Sequence, residues 1–135
     1  MLKALIEHPL TGNLNLDDPQ TTTLRRQIIR EKHFLENIYL EWYRMINSAL
    51  PPGDRPVLEL GSGGGFLWEI LPRMITSEVF ICTGIKVVLD GREIIFTGSS
   101  LDAIVMVDVL HHIPDPRRFF ASAARCVRSG GHRYD

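Results

Sequence analysis

The chain has 135 residues, 44% of them apolar and 23% charged, with a formal net charge of -1. That length fits one domain at most. The near-neutral balance gives no electrostatic case for nucleic acid or an anionic membrane as partner, and no apolar run reaches the roughly 18 residues of a spanning helix.

Cys82 and Cys126 form no CxxC pattern, which fits reduced thiols in the cytoplasm. The N-terminus, MLKALIEHPLTG, has an early proline and an acid at Glu7, and it lacks a signal-peptide core. Residues 1–18 read as an irregular arm. Helix follows, with Asp18 as N-cap and Pro19 at the first helical position. Leu35, Ile38, Tyr39, Trp42, Met45, Ile46 and Ala49 fall at steps of three and four, a buried stripe on a helix that runs to Leu50. The segment KHF at 32–34 marks a break, and PPGDRP at 51–56 stops the helix.

Val57 to Leu60 reads as a short apolar strand, followed by a glycine loop and a helix from about Phe66 to Arg73. ITSEVFI and IKVVLD read as two more strands. DAIVMVD at 102–108 is apolar nearly throughout, as a strand covered on both faces should be. A helix over 115–128 starts at Asp115 and Pro116, carries Phe119, Phe120, Ala123, Ala124 and Val127 inward, and ends at Gly130 and Gly131. Strands alternating with helices predict an open, mostly parallel α/β sheet.

The stretch VLELGSGGGF, Val57 to Phe66, carries the chemistry. Glycine lets a ligand approach the backbone and accepts positive φ, and a loop between the first strand and its helix lies at the ligand crevice of such a sheet. A dinucleotide fingerprint, G-x-G-x-x-G, would place its third glycine at position 66, which is Phe66. An oxidoreductase built on that fingerprint is therefore disfavoured. The spacing is E-x-G-x-G-x-G, through Glu59, Gly61, Gly63 and Gly65. Glu78 lies 17 residues beyond Gly61 at a strand end, close to the spacing of about 20 at which an acid meets ribose hydroxyls.

In this motif the chain resembles the class I S-adenosylmethionine-dependent methyltransferases. FTGSSLDAIVMVDVLHHIPDP is similar to that family's fourth-strand region, and the resemblance spans residues 57 to 131. It implies a partial doubly wound, Rossmann-like sheet of about four strands with an N-terminal helical segment. It also implies S-adenosylmethionine as cofactor and methyl transfer to a small-molecule acceptor. Residues 1–50 would form a cap-like arm and helix, and 51–135 the first half of the cofactor domain. Glu59, Gly61, Ser62, Gly63 and Gly65 would hold the cofactor, with Glu78 on its ribose. Asp90 and Gly91 would meet the adenine, and Asp108 would flank the transferable methyl group. Asp90-Gly91 between apolar runs is equally a hairpin signal, and both readings stand.

No catalytic side chain is assigned. Methyl transfer from a sulfonium is mainly alignment and exclusion of water. His111 and His112, as neighbours on extended chain, would point opposite ways. A metal site built on them lacks a third ligand. Tyr39, Trp42 and Tyr43 read as core at helical spacing.

Two departures from the family follow. About five residues separate the second and third strands, where a parallel crossover takes a dozen. The segment is therefore an irregular loop, or one strand lies outside the sheet. The family has seven strands, and nothing after Gly131 is long enough for a fifth. Strand 102–108 would then be an exposed apolar edge through which two copies could pair as a homo-oligomer. A truncated, inactive cofactor-binding or oligomerisation module is the alternative function.

Overall fold

A computed structural model describes residues 19–134, with side chains described as far as Gly130. The arm over 1–18 and the N-cap assigned to Asp18 lie outside these residues. Two helices come first, α1 (Pro19–Glu31) and α2 (His33–Ala49). Lys32 between them is extended, at φ -94 and ψ 93, so the break falls at KHF as the sequence predicts. In α2 the buried residues are Leu35 and Tyr43. Met45 and Ala49, expected in the core, are exposed.

The sheet comprises β1 (Val57–Leu60), β2 (Met74–Glu78), β3 (Val87–Val88), β4 (Leu101–Met106) and β5 (Val127–Tyr134). Its order is β3-β2-β1-β4-β5, and every pairing is parallel. Helix α3 (Pro116–Cys126) links β4 to β5. Its start is as read: Asp115 accepts from the Arg118 N–H at 3.1 Å, and Pro116 opens the first turn.

Alternation along the central strands explains why both faces are covered. Val57, Ala103 and Val105 join Ile29, Leu35, Tyr43, Phe66 and Met74 in one core cluster under α1 and α2. Leu58, Leu60, Ile104 and Met106 point the other way, into a second cluster with Phe119, Ala123 and Cys126 of α3. Phe119 is fully buried, an anchor of about 2 kcal/mol on area burial. Phe120 and Ala124, expected beside it, face solvent.

The fifth strand corrects the expectation that β4 is an edge. Helix α3 stops at Cys126, two residues early, and Val127 is already extended at φ -82 and ψ 132. From there β5 advances five residues, Val127 to His132, while β4 advances two, Leu101 to Ala103. Gly130, at φ +81, lies in the surplus. The glycines therefore form an irregularity inside a strand rather than the end of a helix. With β5 paired along β4, the edge on which self-association was expected is covered.

Two further expectations change. The helix over 66–73 is only a 3-10 turn, Leu67–Glu69. Little chain separates the glycine loop from β2, and Pro72 opposes a helix through residue 71. The β2–β3 crossover is the irregular loop, with both strands in the sheet. β3 has two residues, and its parallel ladder holds only Ser77 to Val87 and Glu78 to Val88.

At the N-terminal ends of the strands, opposite the glycine loop, Asp102 is fully buried. Its carboxylate accepts from Arg73 Nη1 at 2.6 Å, from the Arg55 N–H at 3.0 Å and from Arg128 Nε. Arg73 also donates to the carbonyls of Pro51, Gly53 and Arg55, and Arg128 to that of Pro52. A Cβ at Gly53 would sit 2.1 Å from Asp102 Oδ2. Burial alone would push this carboxyl up. Arg128, the Arg55 N–H and Arg73 outweigh it and hold the group below the usual carboxylate range.

Candidate functional site

The chain order reverses between β1 and β4, so the crevice of this sheet lies at the C-terminal ends of those strands. The glycine loop leaves β1 there. Gly61 and Gly63 have positive φ, +61 and +48. A Cβ at Gly61 would come within 2.5 Å of Val109 Cγ2. The loop therefore touches the segment after β4 only because Gly61 is bare.

Glu78 reaches the loop from the end of β2. Its Oε1 accepts from the Gly63 N–H at 2.9 Å and its Oε2 from the Val79 N–H at 3.1 Å. Ser62 stitches the same two elements together. Its N–H donates to the Ser77 carbonyl at 2.9 Å, and its Oγ accepts from the Ser77 N–H at 3.1 Å. Ser62 is buried and its hydroxyl also bonds the Glu59 carboxylate. These bonds let Ser62 shape the turn.

Glu59 lies on the Val57 side of β1, under α1 and α2. It is 3% exposed, and its Oε2 has no hydrogen-bond partner. Burial, reinforced by the negative charge of Glu78, pushes its carboxyl up to about 7, against the Ser62 hydrogen bond and the charge of Arg26.

The helices close the loop from the other side. Arg26 of α1 donates to the Gly63 carbonyl at 3.2 Å and the Gly65 carbonyl at 3.3 Å. A Cβ at Gly64 would lie 3.0 Å from the Arg26 nitrogen, and one at Gly65 would lie 2.6 Å from Tyr43 Oη. The Tyr43 hydroxyl accepts from the Phe66 N–H at 3.1 Å, and burial drives its pKa well up. Tyr43 is thus core, as its spacing predicts, yet its polar end serves the loop. Arg26 and Tyr43 escape sequence reasoning because no local spacing ties residues 26 and 43 to residues 63–66.

Beyond β4, Asp108 has φ +58 and is exposed. Its Oδ1 stands 3.5 Å from His111 Nδ1. Tyr39 of α2 faces it: burial raises the Tyr39 hydroxyl, and the charge of Asp108 adds to the effect. Residues Leu110–His112 form a 3-10 turn rather than extended chain. The rings of His111 and His112 consequently meet, with centroids 3.9 Å apart, where divergence was expected.

Asp90 is turned to its own neighbour. Its carboxylate accepts from Arg92 N at 2.9 Å and Nε at 2.9 Å. That pairing, with the Arg92 side chain as the largest cause, lowers its pKa. Asp90 shares no described hydrogen bond with the glycine loop. Residues 90–93 make a turn, but no strand follows it, so the hairpin reading does not hold. Gly91 packs towards Ile113, which a Cβ would meet at 3.4 Å. The turn thereby borders the segment after β4.

The structure thus brings Glu59, Gly61, Ser62, Gly63, Gly65 and Glu78 together in one hydrogen-bonded unit. Asp108 borders it through Tyr39 and Val109, and Asp90 and Gly91 stand apart. The arrangement has a bare backbone turn, two carboxylates, and one guanidinium already engaged with carbonyls. It suits a ligand with hydroxyls and a positive charge.

A family model for a methyltransferase domain matches residues 58–134. The ubiquinone biosynthesis O-methyltransferase of Albidiferax ferrireducens is 25% identical over 92% of this chain and 60% of its own length. That of Ralstonia nicotianae is 27% identical over 74% of this chain and 49% of its own. The chain thus spans about half of these curated relatives. A candidate S-adenosyl-L-methionine-dependent methyltransferase from Methanococcus maripaludis superposes with a TM-score of 0.68 at 18% identity, over 90% of this chain and 64% of that one. That likeness shows the fold.

Proposed function

The chain belongs to the methyltransferase domain family, and from that premise we propose that it binds S-adenosylmethionine at the glycine loop and takes part in methyl transfer to a small-molecule hydroxyl. The observation that carries the cofactor reading is the orphaned Glu59 Oε2 beside a loop whose Gly63 N–H is held by Glu78. A buried carboxylate oxygen without a donor is costly, and a ligand ammonium would supply one. The names of the relatives support an oxygen acceptor.

The cofactor supplies an activated methyl group on a sulfonium, a good leaving group. The residues position it. Glu78, with lone pairs beyond those used by Gly63 and Val79, accepts from the ribose hydroxyls. Gly61 and Gly63 let the ligand lie against backbone. Arg26 and Tyr43 hold the loop in shape from α1 and α2. Asp108, Gly61 and Tyr39 border the place where the acceptor meets the methyl group. Asp90 and Gly91 would complete the adenine side. Of residues 1–50, the described helices α1 and α2 act as a cap-like segment over 51–135. Among the described residues no helix is long and apolar enough to cross a membrane, and unpaired Cys82 and Cys126 support a cytoplasmic setting.

Calorimetric titration of the chain with S-adenosylhomocysteine tests this reading, with Glu78→Ala as the comparison. Micromolar binding that weakens about tenfold or more in the variant is expected from the loss of charge-assisted bonds. Wild-type protein that is folded by circular dichroism and binds nothing would end the reading.

A further inference from the structure

Glu59 has a property that cofactor positioning does not require. It is nine-tenths buried with one oxygen unbonded. The groups that face it come from four elements: Ser62 in the loop, Glu78 at the end of β2, Arg26 on α1 and Tyr43 on α2. Two of the four are hydroxyls and one is a second carboxylate. Among the described residues the one cation facing it, Arg26, is committed to the carbonyls of Gly63 and Gly65. The pocket therefore lacks one positive charge, and a neutral Glu59 is the cheapest remedy until a cation arrives.

Resting on the cofactor reading above, we propose that ligand capture is proton-linked through Glu59. The ligand-free site keeps a proton on this buried carboxyl group, and a ligand ammonium docking beside it expels that proton to solvent. The exchange balances: the O–H bond of Glu59 breaks, its proton goes to buffer, and an ammonium-carboxylate hydrogen bond takes its place. The site is thus built to bind more tightly as pH rises through neutrality. With the carboxyl at about 7, roughly half the molecules hold the proton at pH 7, and only the ionised fraction is ready to bind.

The test is titration with S-adenosylhomocysteine in phosphate and in Tris, whose ionisation heats differ, at pH 6, 7 and 8. Release of about half a proton at pH 7 is expected, with affinity falling about tenfold from pH 8 to pH 6. Glu59→Gln should abolish the buffer-dependent heat and flatten the pH profile. Binding without proton release overturns the linkage and leaves the cofactor reading standing. A wild-type-like profile in Glu59→Gln also overturns the linkage, since a group other than Glu59 would then release the proton. No binding by the folded wild type ends both readings. Carbon-13 titration of the carboxyl groups in the ligand-free chain gives an answer that does not depend on the variant. A Glu59 midpoint near 7 supports the proposal, and one below 5 overturns it.

Discussion

Replacing Glu59 by Gln should stabilise the chain at pH 8 and leave it nearly unchanged at pH 5. The native carboxyl stands at about 7 against an ordinary 4.5, so the folded state holds its proton longer than the unfolded state does. The associated stability is complete below 4.5 and is lost as pH rises through about 7. That displacement is worth about 3 kcal/mol at 1.36 kcal/mol per pH unit, and about 2.5 kcal/mol of it falls between pH 5 and pH 8. Gln has the shape of the protonated acid and cannot ionise, so the variant escapes the loss. Both forms have one polar atom short of a partner, which keeps the comparison fair. Urea unfolding at the two pH values, followed by tryptophan fluorescence, would show the variant's midpoint gaining about 1 M over wild type on going from pH 5 to pH 8. Every other ionisable group is common to both proteins and cancels in the difference. An identical gap between the two proteins at both pH values would refute the reasoning. A midpoint gain of that size would make Glu59 a residue that costs stability at neutral pH.

Asp102→Ala should destabilise the chain by about 3 kcal/mol. It strands Arg73 and Arg128, whose side chains keep about a quarter of their surface in water, so the cost sits low in the range for breaking a buried pair. A loss under about 1 kcal/mol in urea would contradict the clamp. Because Asp102 titrates below its ordinary range, its contribution is present above the unfolded carboxylate value and lost as pH falls through the folded one. The variant's acid unfolding should be correspondingly shallower. Tyr43→Phe removes the acceptor of the buried Phe66 N–H. It should cost about 1–3 kcal/mol and speed hydrogen exchange at that amide; unchanged exchange would show that the loop does not need the hydroxyl. Gly61→Ala combines a left-handed φ, worth about 1–2 kcal/mol, with a 2.5 Å approach to Val109. Thermal unfolding should rank it well below Gly91→Ala, whose Cβ would meet the Ile113 side chain at 3.4 Å.

The local features were legible because local chemistry makes them. Asp115 and Pro116 start α3 through capping and a fixed φ, and Lys32 interrupts the first helical stretch. The even apolar run of β4 matches burial on both faces. The same local reasoning failed where a distant partner chose between two legitimate meanings. Gly130 and Gly131 are equally good as a helix stop or as slack in a strand. The unpaired side of β4 selects the second, drawing in Val127 as ladder partner of Leu101. Phe66 to Arg73 has the composition of a helix, but Tyr43 caps its first amide from another element and β2 must begin at Met74. The residues then close as a single 3-10 turn. His111 and His112 diverge only on extended chain, and the turn after Asp108 turns them towards each other.

By itself, then, the sequence determined the kind of site. Glycines at alternate positions after a strand-end acid specify a bare backbone turn, because only glycine takes those φ values at no steric cost. The spacing to Glu78 brings a second acid to the neighbouring strand end. The tertiary structure decided the charge state and reach of that site. Helices α1 and α2 bury Glu59, so desolvation rather than residue type sets its proton affinity. Arg26 and Tyr43 reach the loop only once those helices are packed on the sheet. Asp90 shares no described hydrogen bond with that loop, and its carboxylate accepts from Arg92 instead.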